Sequence, residues 1–168
     1  MDKTYLDQLV EYPAKVISKI ISDSECASLI LNKPATEITE DDMDTILEKR
    51  IFDYQYVDDT TQESGAYIWV EIDIPSVENR TVKSVNLYVV ISCHKNFMEL
   101  SPSIYPGMMG NRRDNLVRYV DKLLNNSSGF GIGTLALQSV RSLANSNGFT
   151  AREITYSVPD FHLVDIED

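Results

Sequence analysis

The hydrophobic pattern of the first fifty residues predicts a helical start to the chain. Between positions 6 and 21, apolar residues recur at spacings of three and four, which marks one face of an amphipathic helix. Pro13 falls inside this stretch, so we expect it to separate the first turn or to begin a second helical piece. A short helix is predicted over residues 25–31. Thr39, with Asp42 three positions later, resembles a capping box and predicts another helix that ends near residue 50.

Two stretches in the middle of the chain alternate between apolar and polar residues, as half-buried β-strands do. Residues 66–74 place four aliphatic side chains on one face: Ile68, Val70, Ile72 and Ile74. Residues 82–94 give the strongest strand signal, with five side chains expected to point inward: Val85, Leu87, Val89, Ile91 and Cys93. The polar segment 75–80 between them predicts a turn, so the two strands are expected to form an antiparallel hairpin.

Weaker strand signals lie on either side of this hairpin. Phe52, Tyr54 and Tyr56 alternate with polar neighbours and predict a short edge strand. Residues 135–143 and 153–158 predict two further strands around a turn at 145–148. The glycine-rich run 129–133 precedes them, and we expect it to supply backbone freedom where a helix ends and a strand begins.

An amphipathic helix is predicted over residues 111–125. Asn111 is a suitable N-cap, and Asp114 stands at the third helical position. The apolar stripe of this helix comprises Leu116, Val117, Val120, Leu123 and Leu124. The preceding loop, residues 99–110, contains two prolines, two glycines and two methionines, which is too apolar a composition for a simple solvated turn.

These elements predict an α+β fold: a mainly antiparallel sheet of about four to five strands, flanked by N-terminal helices and one central amphipathic helix. The 168 residues suit a single domain. Within it we expect a helical part over 1–50, the sheet and its helix over 51–161, and an acidic tail over 162–168. No apolar run approaches the roughly 18 residues that a membrane helix needs. The N-terminus has no signal-peptide pattern, so we expect a cytoplasmic protein.

The net charge of −11 is concentrated in the first half of the chain. Residues 1–80 hold 18 acidic and 7 basic side chains, whereas residues 81–168 hold 8 of each. This distribution argues against broad nucleic-acid binding, which depends on Lys and Arg to replace counterions. It is compatible with a solvated surface, with repulsion of DNA, or with a basic protein partner.

Candidate catalytic and metal-binding groups are sparse. A zinc site would draw on Cys26, Cys93, His94 and His162, yet Cys93 and His94 are neighbours on a strand and point to opposite faces. Both cysteines lie among apolar residues in the sequence and are interpreted as small buried apolar residues. Glu71 and Asp73 share one strand face, and with His94 they define the alternative of a metal-dependent hydrolase. We predict no catalytic residue, no cofactor and no metal.

The candidate contact residues are Arg112, Arg113, Tyr105, Met108 and Met109. The two arginines occupy the first turn of a predicted helix, where the helix dipole disfavours cations. One interpretation makes them interface residues that meet the acidic first half of a neighbouring copy, and the other makes them a mild local misfit offset by Asp114. The tyrosine and the methionines predict either an adaptable contact surface or a cover for the core.

Several runs of sequence resemble small neck proteins of tailed bacteriophages, in particular the tail terminator and head–tail joining group. They are VNLYVVISCHKNFMEL, GNRRDNLVRYVDKLLNN, GFGIGTLALQSV and FTAREITYSVPDF, together with the helical opening over residues 4–33. In that group a strand ending near a Cys-His pair, here Cys93-His94, precedes a helix that begins with Arg and Asp, here Arg112-Arg113-Asp114.

The resemblance implies a non-enzymatic virion structural protein that assembles in the bacterial host cytoplasm. Such proteins are α+β domains that form rings, commonly hexamers, which cap the tail tube and join it to the head. The implied partners are further copies of the chain, the tail tube and neck or connector proteins, with DNA passing through without sequence-specific binding and no membrane involved. Alternatives are another neck or head-closure component, the metal-dependent hydrolase, and a monomeric acidic adaptor that binds a basic partner.

Overall fold

The computed structural model describes residues 6–55, 63–77, 82–131 and 133–161. The predicted acidic tail over 162–168, with His162, and Tyr56 of the predicted edge strand lie outside these residues. Four helices and five strands follow one another in the order α1 Gln8–Ile21, α2 Ser24–Leu31, α3 Glu40–Lys49, β1 Ile51–Phe52, β2 Ala66–Val77, β3 Val82–His94, α4 Arg112–Leu124, β4 Ala136–Ser146 and β5 Phe149–Phe161.

The five strands form one sheet in the order β1-β2-β3-β5-β4. β1 is parallel to β2, and every other neighbouring pair is antiparallel. The predicted α+β class, with its mainly antiparallel sheet and N-terminal helices, is confirmed. The predicted β2–β3 hairpin is confirmed as well, and the tight turn at Asn147–Gly148, both with positive φ, closes the predicted β4–β5 hairpin.

Two strand predictions differ from the structure at their ends. β2 continues through the predicted turn to Val77, with a register shift between Asp73 and Ser76. Pro75 lies within this irregularity, and a proline that lacks an N–H is tolerated at a bulge. The predicted edge strand at Phe52 is only two residues long, and its buried residue is Ile51, which the alternation of aromatic residues did not include.

Pro13 does not divide the first helix. α1 runs without interruption from Gln8 to Ile21, and Pro13 is buried within it. Pro13 is the sixth residue of the helix, so its missing N–H costs the main-chain hydrogen bond that this position would otherwise donate to Leu9. Burial of its ring, together with Tyr12, Val16 and Ile20, offsets that loss.

Within the described residues, the helices cover one face of the sheet and leave the other open. The inward residues of β2 and β3 form the core with α1, α2 and α4. On β5 the inward residues include Tyr156, whose hydroxyl donates to Asp121 of α4 over 3.0 Å. Burial raises the pKa of the Tyr156 phenol, and the charge of Asp121 raises it further, so this hydroxyl remains a donor at neutral pH.

Candidate functional site

Arg112 is the most deeply buried charged side chain near the predicted contact region. It is the first residue of α4 and is only 1% exposed. Its guanidinium also stacks over Phe97, 4.3 Å from the ring centre. The five N–H groups donate to five neutral acceptors: the main-chain oxygens of Leu29, Phe97 and Glu99 at 2.9, 2.7 and 2.9 Å, the Asn32 amide oxygen at 2.7 Å and the Tyr105 hydroxyl at 3.2 Å.

This arrangement explains a cation in the first turn of α4. Leu29 and Asn32 lie at the C-terminal end of α2, where carbonyl groups lack helical donors and the dipole is negative. α2 has no basic residue in its own last turn, so Arg112 supplies that cation from another helix. The interface role predicted for Arg112 is therefore corrected, because its whole donor set is used inside the fold.

Tyr105 is corrected for the same reason. It is 5% exposed, and its hydroxyl donates to the main-chain oxygen of Ser28 over 2.7 Å while accepting from Arg112. Met108 is partly buried and packs against the core, so part of the loop does cover it. Met109, in contrast, is 86% exposed and remains a candidate contact residue.

Arg113 belongs to a cluster centred on Asp114. Its guanidinium contacts the Asp114 carboxylate at 3.0 Å and donates to the Thr150 hydroxyl on β5 at 2.9 Å. Arg152 donates to the same carboxylate at 2.6 Å, and Asn111 caps the helix by accepting from the Asp114 N–H. The cluster fastens the start of α4 to β5. An interface role for Arg113 remains a prediction, for a side chain that is 13% exposed.

The Asp114 cluster makes the stability of the fold depend on pH. Burial alone would raise the pKa of this carboxyl, but hydrogen bonds from Arg152 and Asn111 and the charge of Arg113 lower it to about 2. Because the folded pKa lies below the ordinary value, the stabilisation is complete above about pH 4 and is lost as the pH falls towards 2.

We expect Asp114→Asn to lower the free energy of unfolding by about 1 kcal/mol at pH 7, a modest figure because the side chain is 38% exposed. Urea unfolding from pH 7 to pH 2 should show a shallower loss of stability for the variant than for the parent chain. Asp44→Asn, at an exposed position of α3, is the matched control. Parallel curves for parent and Asp114→Asn would contradict the assignment.

The three residues of the hydrolase alternative do not meet. Glu71 and Asp73 lie on the open face of β2, opposite Tyr88 and Asn86. His94 ends β3 at the far end of the hairpin, roughly 20 Å away at the rise of a β-strand. Its Nδ1 accepts from the Asn96 N–H at 3.2 Å and lies 3.0 Å from the Ser64 hydroxyl. Within the described part of the chain, no three His, Cys, Asp or Glu side chains are grouped to hold a metal ion.

Both cysteines are buried free thiols. Burial raises the pKa of the Cys26 thiol, and neighbouring Asp23 raises it further. Burial also raises the pKa of the Cys93 thiol to about 11, despite the opposing charges of Arg112 and Arg113. Because the thiolate is the reactive form, a raised pKa keeps both groups as unreactive thiols at neutral pH.

The glycine-rich run after α4 carries a core residue. Phe130 is 1% exposed and packs edge-to-face on Tyr12 of α1, with ring centres 5.5 Å apart. Gly129 and Gly133 on either side have φ of 93° and 95°, a left-handed conformation that favours glycine. The glycine-rich run therefore brings the Phe130 ring against α1. The positive φ angles of its glycines confirm the predicted role in backbone freedom.

The open face of the sheet contains a shallow hollow of about 310 Å³. Its lining combines Trp69 and Tyr88 with Glu71 and Asp73, and an ion pair between Arg141 and Glu153 at 2.6 Å closes one side. The hollow holds acids, aromatic rings and one paired arginine on a surface that no described element covers. Glu71 and Asp73 of the lining lie on β2, and the ion-paired Arg141 lies on β4.

The described part of the sheet has two unpaired edges. β4 pairs with β5 alone, and all side chains over residues 136–142 are exposed, including Leu137 and Val140. At the opposite edge, β1 pairs only with Ile68 and Trp69 of β2. Leu9 and Val10 of α1, which packs on β2, are 43% and 75% exposed. Apolar side chains thus remain uncovered at both edges.

Sequence reasoning missed these edges. The pattern over residues 135–143 predicts a strand but does not indicate that this strand ends the sheet. One signal was available: Leu137 and Val140 are three positions apart, a spacing that a regular strand would divide between its two faces. A register shift at Gln138 brings both to the helix-covered face, opposite Tyr156 and Ile154.

Together, these features define a small α+β protein whose described sheet edges carry exposed apolar side chains. A family model named YomW matches residues 17–158, from the last part of α1 to within β5, so the chain belongs to the YomW family. That family is phage-derived, which places the protein among phage-encoded proteins. No curated protein matches the chain. Among the helices within the described residues, none is long and apolar enough to span a membrane.

Proposed function

We propose that this YomW-family protein is a non-enzymatic virion structural protein that forms a ring, as a tail terminator that caps the tail tube and joins it to the head. One observation carries the proposal: uncovered apolar side chains and unpaired strand edges lie at opposite ends of the same sheet. Two different surfaces on one subunit generate a head-to-tail contact, and such contacts close into rings when the rotation per subunit permits.

Membership of a phage-derived family supports the proposal that the protein is part of a phage particle. The distribution of charge supports its mechanism, because a net charge of −11 repels the phosphate backbone. DNA then passes a ring of such subunits without being held by them, as exit from the head to the tail requires. The proposed partners are further copies, about six in a ring, the tail tube, and the neck or connector protein above it.

The main alternative within this class is another neck or head-closure component. Such a component would form the same ring but bind a protein other than the tail tube. Binding to the tail tube therefore distinguishes a tail terminator from this alternative. The monomeric acidic adaptor is a second class, supported by the three acids Glu40, Asp41 and Asp42 in the first turn of α3. That proposal requires no contact between copies.

The experiment measures mass by light scattering over a range of protein concentrations, with the purified chain alone and with isolated tail tubes, and images both samples by negative stain. A closed ring, free in solution or at the end of a tube, is the expected result. A ring that never binds tubes would favour the head-closure alternative. A chain that remains monomeric at every concentration, and leaves tube ends bare, would overturn the proposal.

A further inference from the structure

We propose that neighbouring copies join by sheet extension: β4 of one copy pairs with the free edge of β2 in the next, and Leu137 and Val140 pack beneath Leu9 and Val10 of that neighbour's α1. The inference deepens the proposed function and rests on the chain forming a ring. It assigns the two halves of the contact to named surfaces, which we call the β4 edge (Ala136–Ser146) and the β2 edge (residues 70–77, with Leu9 and Val10).

The β4 edge is prepared for strand addition. An edge strand presents a row of main-chain N–H and C=O groups that a further strand can satisfy. β4 has 11 residues, which is long for an edge. Its helix-side residues Leu137 and Val140 are 38% and 43% exposed, although Tyr156 and Ile154 beside them on β5 are fully buried. The helix layer therefore ends one strand short of the sheet, within the described residues.

The β2 edge provides the missing helix cover. Beyond Trp69, β2 has no strand partner on its outer side among the described residues. Within the described residues, the Gln55 N–H approaches this edge and donates to the Glu71 side chain, so this contact uses no main-chain group of β2. The inward side chains of a strand added at this edge would face α1.

The orientation of α1 directs its exposed residues to that strand. Lys83 of β3, which lies beside Val77 of β2, contacts Gln8, so the start of α1 lies near this end of the sheet, and α1 packs on β2. Lys15 donates to the main-chain oxygen of Gly129 after α4, which turns one flank of α1 towards the middle of the molecule. Val10 is about 140° from Lys15 around the helix and faces the opposite way.

Strand direction and charge favour this pairing. Because β2–β3, β3–β5 and β5–β4 are each antiparallel, β4 runs opposite to β2. Placing β4 of one copy beside β2 of the next therefore continues the antiparallel alternation. On the open face, Arg141 of β4, with a side chain 64% exposed, would meet the exposed acids Glu71 and Asp73 of β2. Pairing β4 with itself would instead bring two arginines to one face.

The test uses two variants that each damage one half of the contact: Val140→Glu on the β4 edge and Val10→Glu on the β2 edge. Both positions are exposed in the single chain, so the fold should persist, and circular dichroism checks that it does. Under the conditions in which the parent chain assembles, each variant alone should associate at least tenfold more weakly. An equimolar mixture should form a 1:1 dimer, because one intact β4 edge and one intact β2 edge remain, and no closed ring.

Leu47→Glu is the matched control, since Leu47 is an aliphatic residue of α3 that is 48% exposed and lies outside both edges. It should assemble as the parent does. Rings that survive both Val140→Glu and Val10→Glu would overturn this inference and leave the proposed ring intact. A parent chain that assembles neither alone nor with tail tubes would instead overturn the proposed function. Should either valine variant fail to fold, the charge reversal Arg141→Glu replaces it. The pairing is supported if this change weakens assembly and the second change Glu71→Arg restores it. The pairing is overturned if Glu71→Arg does not restore assembly.

Discussion

Replacing Arg112 by alanine should lower the free energy of unfolding by about 3–5 kcal/mol, which is the range for breaking a buried network of charge-assisted hydrogen bonds. The reason is the number of groups that lose a donor together. Three main-chain oxygens, the Asn32 amide and the Tyr105 hydroxyl all accept from this guanidinium, which is 1% exposed. Chemical denaturation of parent and variant measures the difference directly.

Two controls bracket the Arg112 result. Arg118→Ala, at an exposed position of the same helix, should change the stability by about 0.5 kcal/mol or less. Arg112→Lys should fall between, because an ammonium group offers three donors and lacks the planar fork. A loss below about 1 kcal/mol for Arg112→Ala would mean that water or a shifted side chain satisfies these acceptors. The hydrogen bonds of Arg112 would then not be a main source of stability.

Phe130→Ala should cost about 3–5 kcal/mol, the usual range for emptying a buried phenylalanine site. Phe130 is 1% exposed, and its ring packs on Tyr12 of α1 from a loop whose flanking glycines adopt positive φ. Among the described residues of 128–134, Phe130 is the one that is buried. The variant should therefore show both a lower free energy of unfolding and faster proteolysis near residues 128–134.

Lys15→Ala tests whether the ring or the neighbouring hydrogen bond holds that loop. The Lys15 ammonium donates to the main-chain oxygen of Gly129 over 3.1 Å at an exposed position, so its removal should cost less than about 1 kcal/mol. Equal losses for Lys15→Ala and Phe130→Ala would shift the explanation from burial of the aromatic ring to the surface contact.

Local pattern was sufficient for most of the secondary structure. Alternation along 66–74 and 82–94 predicted the hairpin because the period of side chains in a strand is two, and one face of this sheet is buried. Thr39 and Asn111 marked helix starts because a side-chain oxygen at the N-cap satisfies N–H groups that the helix itself cannot. These signals depend only on residues close together in the chain.

The candidate contact residues were harder to predict, because their roles depend on distant parts of the chain. Arg112 has acceptors at Leu29 and Asn32, about eighty positions away, and no pattern near residue 112 indicates them. Met108 and Met109 are adjacent, yet one packs against the core and the other is 86% exposed. Composition identified an unusual loop and left undecided which of its side chains point inward.

The amino-acid order alone accounts for the α+β class, the helix caps, the hairpins and the acidic first half, since each follows from short-range periodicity, capping chemistry or a count of charges. Strand order, the burial of Arg112 beneath α2, and the exposure of Leu137, Val140 and Val10 at opposite sheet edges emerge only when the chain is folded. The physical reason is that burial and edge position are properties of neighbours in space, and those neighbours come from remote positions in the chain.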